Sequence, residues 1–160
     1  MSAIKVIKLE RSCDGCTKCC DGWLTGSAYG HEFYPGKKCY WSSKSGCNIY
    51  EYRPHEPCVT FKCYWKTDRI VPFEFKPDKI GVILVERYMD GYFYLDVNYG
   101  GNYIPIEVID WLHQMFTEKK ILHIRYRKNG KYKLISDDLE FTQMMTNKLG
   151  IDSFDVILGD

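Results

Sequence analysis

The chain has 160 residues, 45% hydrophobic and 27% charged, with a formal net charge of +1. That composition excludes a disordered or fibrous chain and suits one domain, or one domain with a small appendage. A chain of this length buries a core without disulfides, and no stretch approaches the ~18 consecutive apolar residues of a membrane span.

Taken in chain order, "MSAIKVIKLERSC" has neither the apolar run nor the small-residue cleavage site of a signal peptide. The expected compartment is therefore a reducing cytoplasm, where thiols stay reduced or bind metal. Residues 11–66 are dense in Cys, Gly, Pro, Trp and Tyr, with poor periodicity. They predict loops and short turns, "YPGKKC" and "RPHEPC" among them, ordered around a cofactor. "KKCYW" (37–41) recurs as "FKCYW" (61–65). The echo reads either as two similar ligand corners under an indole or as coincidence, and it is too short for a structural repeat.

Residues 67–160 read as a conventional module. "KIGVILVERY" (79–88) and "GYFYLDVNY" (91–99) predict strands joined by the turn "MDG". Pro105 suits a first helical position. "PIEVIDWLHQMFTEKK" then sets Ile106, Ile109, Leu112 and Phe116 on one face, with Lys119 and Lys120 in the last turn. "ILHIRYR" and "YKLIS" flank "KNGK", a two-residue hairpin signal. "DDLEFTQMMTNKLG" predicts a second helix, with an Asp N-cap and Gly150 as its stop, and "FDVIL" a last short strand. The expected fold class is α+β: an irregular, cysteine-rich, metal-organised N-terminal region (11–66) and a small C-terminal module of hairpins plus two helices (67–160).

All eight cysteines lie in the first region: Cys13, Cys16, Cys19, Cys20, Cys39, Cys47, Cys58 and Cys63. C-x-x-C loops turn backbone N–H groups toward sulfur while both thiolates reach one centre, the spacing of zinc and iron–sulfur sites. Neighbouring residues of extended backbone point to opposite faces, so Cys19 and Cys20 serve two centres more easily than one. Cys13, Cys16 and Cys19 read as three ligands of a first centre. Cys20 faces a second, with partners among Cys39, Cys47, Cys58 and Cys63. The run C-x-x-C-x-x-C matches the start of a bacterial ferredoxin cluster, which tilts the first site toward iron–sulfur over zinc.

The other readings fit less well. A disulfide framework lacks an export signal, and a catalytic cysteine usually stands alone with a distant histidine. His31 and His55 could replace a ligand, but eight cysteines make this unnecessary. His113 and His123 read as ordinary helix and strand residues. Residues 1–66 hold ten Lys/Arg and six Asp/Glu, a surplus of +4, and residues 67–160 hold twelve against fifteen, a deficit of −3. Two four-thiolate sites around +2 cores would carry about −2 each and cancel that surplus, so nucleic acid is not an expected partner.

"CDGCTKCC", "KKCYW", "GCNIYEYRPHEPC" and "TFKC" together resemble the CxxCxxCC cysteine-cluster family of zinc- or iron-chelating proteins (YkgJ-like). All eight cysteines fall on its pattern, as do Ile49, Tyr50, Glu51, Arg53, Pro54 and Phe61. The resemblance covers about residues 11–65, and residues 67–160 lie outside it. It implies metal chelation without an agreed reaction. It also favours Arg53, with Tyr50 and Glu51, as a support for the ligands, neutralising thiolates or pairing with Glu51. Similar clusters occur in flagellin lysine methylases, which keeps an iron–sulfur enzyme or accessory domain open. The sequence, however, carries no S-adenosylmethionine signature and no acid–base constellation. A zinc-ordered adaptor using Trp23, Trp41 and Trp65 as a protein or nucleic-acid interface is the third reading.

Overall fold

A computed structural model of the chain describes residues 11, 18–19, 24–34, 36–61, 63–99, 103–128, 131–149 and 154–157. Among these residues the fold is α+β. Its centre is a five-stranded sheet of β5 (Val82–Met89), β6 (Tyr92–Tyr99), β7 (Ile124–Lys128), β8 (Lys131–Ile135) and β9 (Phe154–Ile157), in that order. β5–β6 and β7–β8 are antiparallel hairpins, whereas β6–β7 and β8–β9 are parallel. Each parallel step needs a crossover. Helix α3 (Ile106–Thr117) supplies the first and α4 (Leu139–Leu149) the second.

Local chemistry explains these elements. Asp90 and Gly91 join β5 to β6 with φ of 49° and 83°, the left-handed pair that matches the twist of a two-residue hairpin. Lys128 opposite Lys131 is the register that "KNGK" predicts, although the turn residues 129–130 lie outside the described set. Asp138 caps α4: its Oδ1 accepts from the Phe141 backbone N–H at 3.0 Å. The expected stop at Gly150 is also outside the described residues.

One expectation about α3 is corrected. Its buried arc is Val108, Trp111, Leu112, Met115 and Phe116, while Ile106 is exposed and Ile109 half-buried. The Trp111 indole packs edge-on against Phe75 at 5.8 Å, and this larger side chain takes the buried face. Ile106 is left at the protruding first turn. Pro105 is the N-cap rather than the first helical residue. Lys119 and Lys120 lie beyond the helix end, where Lys119 adopts φ 58° and the Lys120 and Ile121 N–H groups return to the Met115 carbonyl.

Period-two alternation gives the sheet two faces. On the first, Val82, Leu84, Leu95, Val97, Ile124, Tyr126 and Ile135 pack with the α3 arc and with Tyr64, Trp65 and Val71. Tyr64 and Trp65 belong to the short helix α1 (Tyr64–Thr67), so the expected boundary at 66/67 falls within α1. Arg11 ties α1 down, donating through its two terminal nitrogens to the Trp65 and Val71 carbonyls, both at 2.7 Å. A second one-turn helix, α2 (Pro77–Ile80), leads into β5.

The second face has two covers. Tyr94 and Leu134 pack under Phe141 and Met145 of α4. Ile83 and Val85 pack under Leu24, Ala28, Phe33 and Cys39 of the cysteine-rich region. The described part of that region is less irregular than expected. It holds two small hairpins, β1 (Gly26–Ala28) with β2 (His31–Phe33) and β3 (Ser42–Ser43) with β4 (Gly46–Cys47), and a 3-10 turn at Tyr50–Tyr52. Gly26 packs under the Phe33 ring, and a Cβ there would meet Phe33 Cζ at 2.5 Å and force the ring to shift. The "KCYW" echo does not produce two similar corners. The first copy runs through a turn into β3, and the second places Cys63 as the N-cap of α1.

Candidate metal centre

The β3–β4 hairpin and the Pro-rich segment after it gather the described thiols. Ser42 N–H donates to the Cys39 carbonyl at 3.0 Å, and Asn48 N–H donates to the Trp41 carbonyl at 2.9 Å. Register sets Cys47 opposite Ser42, so Cys39 and Cys47 come from the two arms of one tight loop. Gly46, at φ 119°, makes the return into β4. The chain then wraps at His55–Val59, where Thr60 N–H donates to the His55 carbonyl and Phe61 N–H to the Pro57 carbonyl. Cys58 lies inside that turn and, with Phe61 and Trp41, packs against the cluster that holds Cys39.

Cys58 feels the charge of the other thiols. Burial pushes its pKa up first, and the negative potentials of Cys39, Cys47 and Cys19 push it further in the same direction. Arg53 acts the opposite way. Cys19, from the first cysteine run, is thus within electrostatic reach of Cys58. Cys39 is buried, Cys47 and Cys58 are half-buried, and Cys19 is exposed. Cys63 packs against both this cluster and the main core, within electrostatic reach of Arg11. Cys13, Cys16 and Cys20 lie outside the described residues. Among the described residues, no group of three or more His, Cys, Asp or Glu side chains is arranged to hold a metal ion.

The donor chemistry suits a soft metal. The described cysteines are sulfur donors, as zinc and iron–sulfur centres use. The Trp41 indole N–H is buried in the same cluster and has no acceptor among the described residues. An N–H donor of this kind is what thiolate ligands recruit from outside the ligand set. Arg53 stacks over the Tyr50 ring at 4.0 Å and makes no ion pair with the exposed Glu51 among the described residues. His31 stacks on Tyr40 at 4.1 Å and meets Trp41 edge-on, and His55 is exposed at the start of its turn.

Two polar constellations escape sequence reasoning. Asp96, buried on the second sheet face, accepts from Arg125 Nε at 2.9 Å and Nη2 at 2.8 Å, and from Arg87 Nε at 3.1 Å. The visible signal is an aspartate inside the apolar strand "GYFYLDVNY". His123 is buried and meets Ser136 Oγ through Nδ1 at 2.8 Å, while Ser136 Oγ also accepts from Asp138 N–H at 3.1 Å. Burial pushes the His123 pKa down, partly opposed by Asp138 and Asp137. The pair has the distance of a nucleophile and its base, but Ser136 is wholly buried and already braces Asp138, the N-cap of α4. It holds the fold rather than a substrate.

No protein-family model, curated protein or solved structure matches this chain. No helix among the described residues is long and apolar enough to cross a membrane.

Proposed function

We propose that this chain is a metal-binding protein, carrying iron or zinc on cysteine thiolates as its resemblance to the CxxCxxCC family implies. The observation that carries the reading is the packing of Cys39, Cys58 and Cys63 in one small cluster, with Cys19 and Cys47 within electrostatic reach of Cys58. Unrelated thiols have no reason to crowd where each raises the cost of ionising the next. A bound cation removes that cost by holding them as thiolates. Cys19, Cys39, Cys47 and Cys58 are four soft donors of the ligand pool in this reading, and a complete site draws on the remaining cysteines as well. Cys13, Cys16, Cys20 and Cys63 are the remaining soft donors, available to a second site too. The C-x-x-C-x-x-C spacing supports iron–sulfur chemistry, and four thiols drawn from distant loops support zinc equally well. Arg53, held over Tyr50, offsets thiolate charge from outside the ligand set, and Glu51 flanks it in sequence. The metal's role is to order the cysteine-rich layer in a reducing, cytoplasmic setting, and no catalytic residue is assigned.

The test is elemental analysis with an absorption spectrum on anaerobically purified protein. Iron or zinc should be present at one or two equivalents. Cys58→Ser should lose one equivalent. Protein that is metal-free as isolated, with its cysteine-rich layer folded, sinks the reading.

A further inference from the structure

The middle of the second sheet face carries more positive charge than the fold uses. Alternation sets Asp96 and Asn98 of β6 on that face, next to Arg125 and Arg127 of β7. Asp96 is the carboxylate paired with Arg87 and Arg125. Arg127 makes no ion pair among the described residues, and its guanidinium lies over the Tyr132 ring at 5.4 Å. Arg125 lies over the same ring at 4.9 Å. Two cations share one ring, and among the described residues the three guanidiniums on this face pair with one carboxylate, an excess of two positive charges.

A second observation points to the same place. Asn98 Nδ2 is buried and has no hydrogen-bond partner among the described residues. The parallel register of Val97 with Tyr126 puts Asn98 beside Arg127. A buried donor without an acceptor forfeits its hydration for nothing, and like charges at adjacent positions repel. Both problems are solved by one group: a dianion whose oxygens accept from an amide and from guanidinium forks.

We propose that Asn98, Arg125 and Arg127 form a binding site for a phosphate group. Asp96 occupies Nε and Nη2 of Arg125 and so fixes that guanidinium in place. Asn98 supplies a neutral, buried donor, so that a polyatomic anion can accept from it and from the guanidiniums at once where chloride, a single atom, cannot span them. Arg127, at the open side, supplies the charge that draws the anion in. This site is separate from the cysteines, and its test does not depend on metal content.

The test is thermal unfolding of the whole chain against inorganic phosphate, with ionic strength held constant by sodium chloride. A parallel titration uses methyl phosphate. The unfolding temperature should rise saturably with inorganic phosphate and not with chloride alone. Methyl phosphate acting equally well assigns the site to phosphate monoesters, and inorganic phosphate acting alone assigns it to the free ion. Asn98→Leu and Arg127→Met should each weaken the response by about tenfold or more, the loss of one hydrogen bond to a charged group. Without phosphate, Asn98→Leu should fold and be at least as stable as the parent, since it removes an unsatisfied donor. A chloride response equal to that of phosphate, or variants that titrate like the parent, overturns the proposal.

Discussion

Replacing Asp96 with asparagine tests the polar centre of the sheet. The change is nearly isosteric, so it removes charge without opening a cavity. Arg125 is the partner that suffers, because its side chain is 12% exposed and Asp96 itself only 5%. Burial alone works against the Arg125 charge. The hydrogen bonds and attraction of Asp96 outweigh it, so the guanidinium's pKa ends above its ordinary value. Losing the partner of a buried charge costs about 3–5 kcal/mol. Arg87 is 46% exposed and water screens it, so its share is below about 1 kcal/mol. At roughly 2–4 °C per kcal/mol for a chain of this size, Asp96→Asn should lower the unfolding temperature by about 6–20 °C. Arg87→Met should barely move it.

The decisive comparison adds Asp96→Leu with Arg125→Met in one chain. Replacing both members of a buried pair with apolar groups is often neutral, so the double variant should recover most of the loss. Denaturant midpoints at unchanged slope would measure it. The reasoning fails if Asp96→Asn costs less than about 1 kcal/mol. It also fails if Arg87→Met costs as much as Arg125→Met.

Three further outcomes follow from named groups. The folded pKa of His123 is depressed, so its contribution to stability is present above the ordinary imidazole value of about 6.5. That contribution is lost as pH falls through the folded value, and His123→Phe should flatten this part of a stability–pH curve. Cys58 has the opposite sign in the metal-free chain: its raised pKa gives stability below the ordinary thiol range that is lost as pH rises through the folded value. The metal-loaded chain should instead lose stability on acidification, as protons displace metal from thiolates. Denaturation across pH with and without chelator should show opposite slopes, and matching slopes would count against a thiolate site. Gly26→Ala forces the Phe33 ring from its seat and should cost about 1–3 kcal/mol, measured by denaturation. An unchanged midpoint would mean that the hairpin yields freely.

What was legible in the sequence is what local chemistry decides. Asp90–Gly91 demands left-handed backbone, and Asp138 sits one residue before an amphipathic run, so the hairpin and the cap could be read directly. The buried arc of α3 could not, because the choice between Ile106 and Trp111 is made by Phe75, about thirty residues upstream on a separate turn. The Asp96–Arg125 pair spans 29 positions and exists only because α3 returns the chain parallel to β6. One missed inference was available: "VILV" is four consecutive apolar residues, all buried, and a strand covered on both faces reads this way. That run announced a second layer over β5. Which thiols meet was not legible, because spacing names candidate ligands while the path of the loops chooses among them. Cys19, expected with Cys13 and Cys16, is within electrostatic reach of Cys58, and Cys13 and Cys16 lie outside the described residues.

The second layer also bears on why thiols gather where they do. Its strands are two or three residues long, too short to stand alone in water. Among the described residues its apolar core is small: Leu24, Ala28, Phe33 and Cys39 against Ile83 and Val85, with Trp41, Cys58, Phe61 and Cys63 packed alongside. Burial on that scale cannot offset the entropy of ordering some forty residues, at ~1–2 kcal/mol each for backbone alone. The other sheet face has no such deficit, because α3 supplies Trp111, Leu112, Met115 and Phe116. The metal proposed for this layer would tie several of its loop positions together and reduce that entropy. The layer most in need of a staple is therefore the layer that holds the thiols. Its loss would uncover Ile83 and Val85 while leaving the α3 side packed. Opening in this protein should accordingly begin on one face of the sheet.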